Sequence, residues 1–80
     1  MEKSEITKKV IALVQKLSDS NSIKESDSFE ELGITSLKFI RLVVDLEKEC
    51  EMRFDDGDIN LALFNRVEDI VKYIYERKEK

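Results

Sequence analysis

Residues 32–37 read Leu-Gly-Ile-Thr-Ser-Leu, and in them a glycine turn meets an apolar run with helical periodicity. Gly33 is one of only two glycines in a chain of 80 residues that has no proline. A helix stop is therefore expected at Gly33, and a new helix is expected to begin at Ser36. Folds built from many turns need more glycine and proline than this, so the composition favours an all-α fold.

Apolar residues at helical spacing predict three long helices around this segment. The first is expected over residues 4–17 with Ser4 as its cap, and the second over residues 36–52. The residues expected to face inward are Ile6, Val10, Leu13 and Leu17 in the first helix, Leu37, Ile40, Val43, Val44 and Leu46 in the second, with Phe39 and Leu42 beside them, and Val67, Ile70, Val71 and Ile74 in the last. With a short helix or irregular turn at 59–64, the pattern predicts a small four-helix bundle, three long helices and one short, in a single domain spanning residues 1–80.

The segments between the helices contain loop and helix-capping patterns. Residues 18–28 are polar and predict a long loop, with Ile23 as its anchor to the core. The segment Ser28–Glu31 has capping-box spacing, so one turn of helix is expected before Gly33. The segment Asn65–Glu68 repeats that spacing with Asn65 as the cap, and Asp58 is a natural cap for the short helix.

Charge and composition exclude several classes of protein. The net charge is −4, with 18 acidic residues against 14 basic ones, which argues against nucleic-acid binding. The apolar runs are too short to cross a membrane, and no secretion signal is visible. A single cysteine cannot form an internal disulfide, so a cytoplasmic setting is expected. Because histidine is absent, neither a metal site nor an enzyme is expected.

Ser36 is the residue with a distinctive chemical setting. Its hydroxyl is expected at the start of a helix, where free backbone N–H groups and the positive end of the helix dipole favour an anion. A phosphodiester on that oxygen would be well placed. The simpler alternative is that Ser36 or Thr35 only caps the helix.

The surrounding pattern resembles the modification site of acyl and peptidyl carrier proteins. The resemblance rests on the segment Phe29-Glu30-Glu31-Leu32-Gly33-Ile34-Thr35-Ser36-Leu37, followed by Ile40-Arg41-Leu42 and the largely acidic stretch 47–51. It extends over nearly the whole chain and implies the acyl-carrier-protein type of bundle. It also implies that Ser36 is esterified by 4′-phosphopantetheine, transferred from coenzyme A by a separate transferase. In that family the arm ends in a thiol that carries acyl or aminoacyl groups as thioesters.

The resemblance also implies the partners. These are a phosphopantetheinyl transferase, an acyl- or aminoacyl-loading enzyme, and downstream synthase or condensing enzymes. The carrier itself is expected to be a monomer. The residues expected to take part in partner recognition are Thr35, Leu37, Lys38, Arg41 and Asp45. Lys38 and Arg41 would repel a strongly basic patch on a partner.

Two features distinguish this chain within the family it resembles. Thr35 stands where such carriers usually have Asp or His, and Lys38 and Arg41 make the helix start basic where fatty-acid carriers usually show acids. These features favour a stand-alone carrier in nonribosomal peptide or polyketide-type secondary metabolism. The alternatives are a fatty-acid-type acyl carrier protein and, outside carriers, an unmodified helical protein–protein interaction module. The sequence leaves the cargo open.

Two secondary hypotheses concern the interior. Some carriers sequester the acyl chain between helices, and such a pocket would here be lined by Val43, Leu46, Ile59, Leu63 and Ile74. A filled core is the stronger expectation for a chain this small. Cys50 has acidic neighbours, which raise a thiol pKa, so an inert, partly buried cysteine is expected.

Overall fold

The computed structural model describes residues 2–55, 57, 59 and 62–79. Within these residues the chain forms three α-helices: α1, Lys3–Leu17; α2, Ser36–Cys50; and α3, Val67–Glu79. Helix α1 packs against both α2 and α3. Extended pairing among the same residues amounts to one isolated bridge between Ser28 and Arg66. The all-α class is confirmed.

The fourth, short helix stays a prediction. The segment 59–64 in which it is expected includes residues 60 and 61, which lie outside the described part of the chain. Its expected cap, Asp58, lies outside it as well.

The buried faces of α1 and α3 are as predicted. The buried residues are Ile6, Val10, Leu13 and Val14 in α1, and Val67, Ile70, Val71 and Ile74 in α3. Leu17 is half-buried against the same core. In the first loop, Ile23 is buried and anchors the connection. Phe54 is buried just after α2, and its N–H donates to Glu47 Oε2 at 2.9 Å.

The orientation of α2 differs from the prediction. Its buried face consists of Phe39, Leu42, Val43, Leu46 and Cys50. Three residues expected to face inward lie on the outside: Leu37 is 81% exposed, Ile40 51% and Val44 43%. The prediction was wrong for these three because α2 is apolar on two faces, and helical spacing alone fits either face.

The ends of α1 and α2 also differ from the prediction. Helix α1 begins at Lys3, after Glu2, which makes no side-chain capping hydrogen bond. Ser4 therefore lies inside the first turn and is not the cap. Helix α2 ends at Cys50 instead of residue 52, because Glu51 adopts the left-handed conformation with φ 51°, a backbone shape that closes a helix.

Helix α3 starts one residue later than predicted. It begins at Val67, so Arg66 precedes it. The Asp69 carboxylate accepts the backbone N–H groups of Arg66 at 3.0 Å and of Asn65 at 3.2 Å. The side chain that reaches back to the backbone N–H groups before the helix, as in a capping box, is therefore that of Asp69 and not that of Glu68.

Candidate functional site

A single turn at residues 28–32 leads into the site. The Ser28 hydroxyl accepts the N–H of Glu31 at 3.0 Å and donates to Glu31 Oε1 at 2.9 Å. The N–H of Leu32 donates to the carbonyl of Ser28 at 3.1 Å and closes the turn. The predicted pairing of Ser28 with Glu31 is therefore confirmed.

Gly33 ends this turn as predicted. Its φ is +75°, a conformation in which any side chain would be strained. The N–H of Gly33 donates to the carbonyl of Glu30 at 3.1 Å, and the N–H of Ile34 donates to that of Phe29 at 2.9 Å. These two bonds form a Schellman stop. Because Phe29 and Ile34 are both buried, the chain emerges from it in a fixed direction.

Thr35, and not Ser36, caps α2. The Thr35 hydroxyl oxygen accepts the N–H of Lys38 at 3.3 Å, and its carbonyl accepts that of Phe39 at 2.8 Å. Ser36 is the first helical residue and is exposed. Within the described part of the chain its hydroxyl has no hydrogen-bond partner. The capping role is thus filled by a neighbour, and the Ser36 hydroxyl is available for modification.

The local electrostatics suit an anion. The first turn of α2 contains no acidic residue and does contain Lys38. None of the described residues accepts the N–H groups of Ser36 and Leu37, which lie at the positive end of the helix dipole. An anion at such a position is stabilised by about 0.3–1 kcal/mol. A phosphodiester on Ser36 fits these surroundings.

Aromatic packing holds the start of α2 in place. Phe39 lies one turn after Ser36 and is only 1% exposed. Its ring centroid is 5.7 Å from that of Phe29, in the preceding turn, and 5.9 Å from that of Phe64, before α3. The segments on either side of the site are therefore packed on one ring, which gives Ser36 a rigid base.

A groove opens beside the site. It has a volume of about 590 Å³ and lies between residues 28–35 and residues 64–66. Its two walls are joined by a hydrogen bond from the Phe29 N–H to the Asn65 carbonyl, at 2.9 Å. Sequence reasoning missed this groove, since no pattern pairs segments so far apart in the chain. None of the five residues considered for an interior pocket lines it, and one of them, Leu63, is 54% exposed.

The other candidate recognition residues lie along α2. Leu37, Lys38 and Arg41 are exposed, as is Thr35, while Asp45 is half-buried. The structure thus brings them together on the outer side of one helix, next to Ser36. Their role in binding partners stays a prediction.

Cys50 belongs to the core and not to the site. Its side chain is buried on the inner face of α2. Burial raises the pKa of the thiol; Lys9 and Lys78 oppose this rise, and Glu49 adds to it. The direction matches the sequence prediction, but desolvation is the main cause and the acidic neighbours contribute less.

Among the described residues no cluster of three His, Cys, Asp or Glu could hold a metal ion. Two of the aspartates in the segment 55–58, at positions 56 and 58, lie outside that set. No helix in the described ranges is long and apolar enough to span a bilayer.

Comparison with known proteins identifies the family. Residues 8–74 match the family described as phosphopantetheine attachment site. The chain is 36% identical over 73 residues to an acyl carrier protein of Clostridium perfringens, an alignment covering 91% of this chain and 93% of that one. It is 32% identical over 78 residues to the acyl carrier protein of Thermotoga maritima, covering 94% of each. The chain belongs to the phosphopantetheine-dependent carrier proteins, whose cofactor is a covalently attached 4′-phosphopantetheine.

Proposed function

We propose that Ser36 is the residue that bears the phosphopantetheine arm, and that residues 1–80 form a single carrier domain. The observation that supports this most directly is the exposed Ser36 hydroxyl at the first position of α2, with the cap supplied by Thr35. The family match weighs against the unmodified interaction module, because that alternative leaves the serine without a role.

The chain's own residues would display the arm and leave the chemistry to partner enzymes. When bound, the arm supplies a thiol that holds acyl groups as thioesters. Ser36 provides the ester oxygen, the N–H groups of the first turn stabilise the phosphodiester, and Phe39 keeps the helix start rigid. Tethering raises the concentration of the acyl group at a partner's active site. None of this needs a catalytic residue in the carrier, so we propose that the chain is not an enzyme.

Acyl cargo is the better-supported assignment. The relatives from Clostridium perfringens and Thermotoga maritima are both named acyl carrier proteins. A fatty-acid-type acyl carrier protein fits this similarity, which gives no support to nonribosomal peptide or polyketide metabolism. The observation that favours aminoacyl cargo is the basic start of α2, at Lys38 and Arg41. The cytoplasmic location and monomeric state stay predictions.

Modification in vitro tests the role of Ser36. The protein is incubated with coenzyme A and a broad-specificity phosphopantetheinyl transferase, and its intact mass is measured. Wild type is expected to gain the mass of the arm, and Ser36→Ala is expected not to. Ser4→Ala is the matched control, since Ser4 is also an exposed serine in the first turn of a helix. Full modification of Ser36→Ala would contradict the proposal.

A second experiment tests the cargo. The protein bearing its arm is offered to acyl-loading enzymes with fatty or malonyl groups, and to adenylating enzymes with amino acids. Thioester masses from the acyl donors are expected. Loading by amino acids alone would overturn the acyl assignment and leave the carrier assignment in place.

A further inference from the structure

The large apolar residues that line the groove beside Ser36 expose almost no surface. Phe29, Ile34 and Phe64 are 1%, 3% and 4% exposed, respectively. Hydrophobic stabilisation is proportional to the apolar area removed from water, so a hydrocarbon chain placed in this groove would gain little from these side chains. They shape the groove, and polar groups must supply most of the recognition of anything bound there.

Polar side chains stand on both walls of the groove. The carboxylate of Glu30 and the side-chain amide of Asn65 are exposed and, within the described part of the chain, have no hydrogen-bond partner. Arg66 donates from Nη1 to the carbonyl of Ser26, which leaves further N–H groups of its guanidinium for a ligand. The groove therefore offers both donors and acceptors.

The charges of the two walls oppose each other. Glu30 lies on the wall formed by residues 28–35, and Arg66 lies on the wall formed by residues 64–66. The ion pairs among the described residues are Lys9–Glu49 and Arg77–Asp55, so neither wall charge is neutralised by a salt bridge there. An anionic group attracted by Arg66 would be repelled by Glu30, and a cationic group would meet the reverse. The groove thus favours a neutral group that forms hydrogen bonds.

The groove starts at the proposed attachment point. Thr35 lines it and directly precedes Ser36. Its volume of about 590 Å³ is within the usual range for ligand clefts. The hydrogen bond from the Phe29 N–H to the Asn65 carbonyl fixes the spacing of the walls. A phosphopantetheine arm has a hydroxyl and two amides between its phosphate and its thiol, so it is itself a neutral hydrogen-bonding chain beyond the phosphate.

We infer that the arm folds back into this groove and that its cargo there is a short, neutral acyl group with its own hydrogen-bonding group, such as a hydroxyl. This inference rests on the proposed function, since it needs an arm on Ser36. The interior of the bundle is a poorer site for the cargo. Val43, Leu46 and Ile74 are at most 2% exposed, and an entering hydrocarbon chain would have to displace such close-packed side chains.

Matched acyl groups test the cargo. A broad-specificity transferase attaches the acylated arm from butyryl-, β-hydroxybutyryl- or octanoyl-coenzyme A, and cleavage of each thioester by hydroxylamine is compared with that of the same acyl group on free pantetheine. One hydrogen bond in the groove is expected to slow cleavage of the β-hydroxybutyryl thioester about threefold or more relative to butyryl. The octanoyl thioester is expected to be no better protected than butyryl.

NMR spectra of the protein with and without its arm test the location. Because residues 64–66 are distant from Ser36 in the chain, their backbone amide resonances report an arm in the groove. They are expected to shift on attachment, whereas those of Val43, Leu46 and Ile74 are not. Asn65→Ala keeps the backbone carbonyl that holds Phe29, and it is expected to remove the extra protection of the β-hydroxybutyryl thioester. Asn21→Ala, at an exposed position of the first loop, is the matched control and is expected to retain it.

The outcomes separate this inference from the proposed function. If the arm attaches to Ser36 but the resonances of residues 64–66 do not move, the groove is not its site. Best protection of the octanoyl thioester, or equal protection in Asn65→Ala and wild type, also overturns the inference and leaves the function standing. If wild type gains no arm, or Ser36→Ala still does, both are wrong.

Discussion

Adjacent valines in α2 provide the sharpest stability test, because the same substitution acts on its two apolar faces. Val43 is 2% exposed on the inner face of α2, whereas Val44 is 43% exposed on its outer face. Replacing Val43 by Ala removes two buried carbon groups, each worth about 0.8 kcal/mol. The cavity left behind adds to this, so the loss before any compensation is roughly 2–3 kcal/mol.

Helix propensity acts equally at both positions and partly offsets the loss. Alanine favours a helix over valine by about 0.5 kcal/mol. We therefore expect Val43→Ala to lower the free energy of unfolding by about 2 kcal/mol, and Val44→Ala to leave it unchanged or raise it slightly. For a domain of this size, 1 kcal/mol corresponds to about 4–8 °C in melting temperature.

Urea unfolding followed by circular dichroism at constant temperature measures both changes. The denaturant slope m should stay the same, so that a shift in midpoint reports stability. An equal loss in the two variants would show that Val44 is also core. That result would refute the orientation of α2.

Gly33 and Cys50 supply three further predictions, which are tested by unfolding and by thiol alkylation. Gly33→Ala is expected to destabilise the protein by about 1 kcal/mol, because an L side chain is strained at φ +75°. The control is Gly57→Ala, which has equally open space and no such φ, and it should be neutral or slightly stabilising. Equal losses of stability in the two variants would count against the Schellman stop at Gly33. Burial raises the pKa of Cys50 above its ordinary 9.0, so its thiol should resist alkylation at pH 8 until the protein is unfolded, whereas the arm's thiol should react at once. The neutral Cys50 thiol stabilises the native state fully below pH 9.0 and progressively less above it, as the unfolded chain releases the proton first. Stability measured against pH should therefore fall less steeply above that value in Cys50→Ala than in wild type, and parallel slopes would contradict the assigned burial.

The fold was largely predictable where one face of a helix is apolar and the other polar. The stripes of α1 and α3 have that form, and the structure buries them as expected. In α2 both faces are apolar, so periodicity could not choose between Val43 and Val44. The choice is made by tertiary contacts, above all by Phe39 between Phe29 and Phe64, which a local pattern does not contain.

Cap patterns predicted the helix starts only in part: α2 begins at Ser36 as expected, whereas α1 begins at Lys3, before its predicted cap Ser4. Ser28 and Glu31 had no competitor, and they are in contact. Before α3, the pair Asn65 and Glu68 overlaps a second pair one residue later, and the second prevails because Asp69 reaches two backbone N–H groups. Such competition is settled by geometry, not by residue type.

The candidate site was predictable in its main residue and not in its surroundings. The exposed position of Ser36 at a helix start followed from the glycine turn and the apolar run after it. That Thr35 alone caps the helix required the observed contact with the N–H of Lys38. The groove required the pairing of Phe29 with Asn65, which joins segments with no common pattern.

Locating the arm in the native protein tests the central claim most directly. Trypsin cleavage after Lys24 and Lys38 would release a peptide that also contains Ser26, Ser28 and Thr35, so its fragmentation must assign the modified oxygen. For protein purified from its own cell, we predict phosphopantetheine on Ser36. An unmodified Ser36 with the arm on any other hydroxyl would contradict the account.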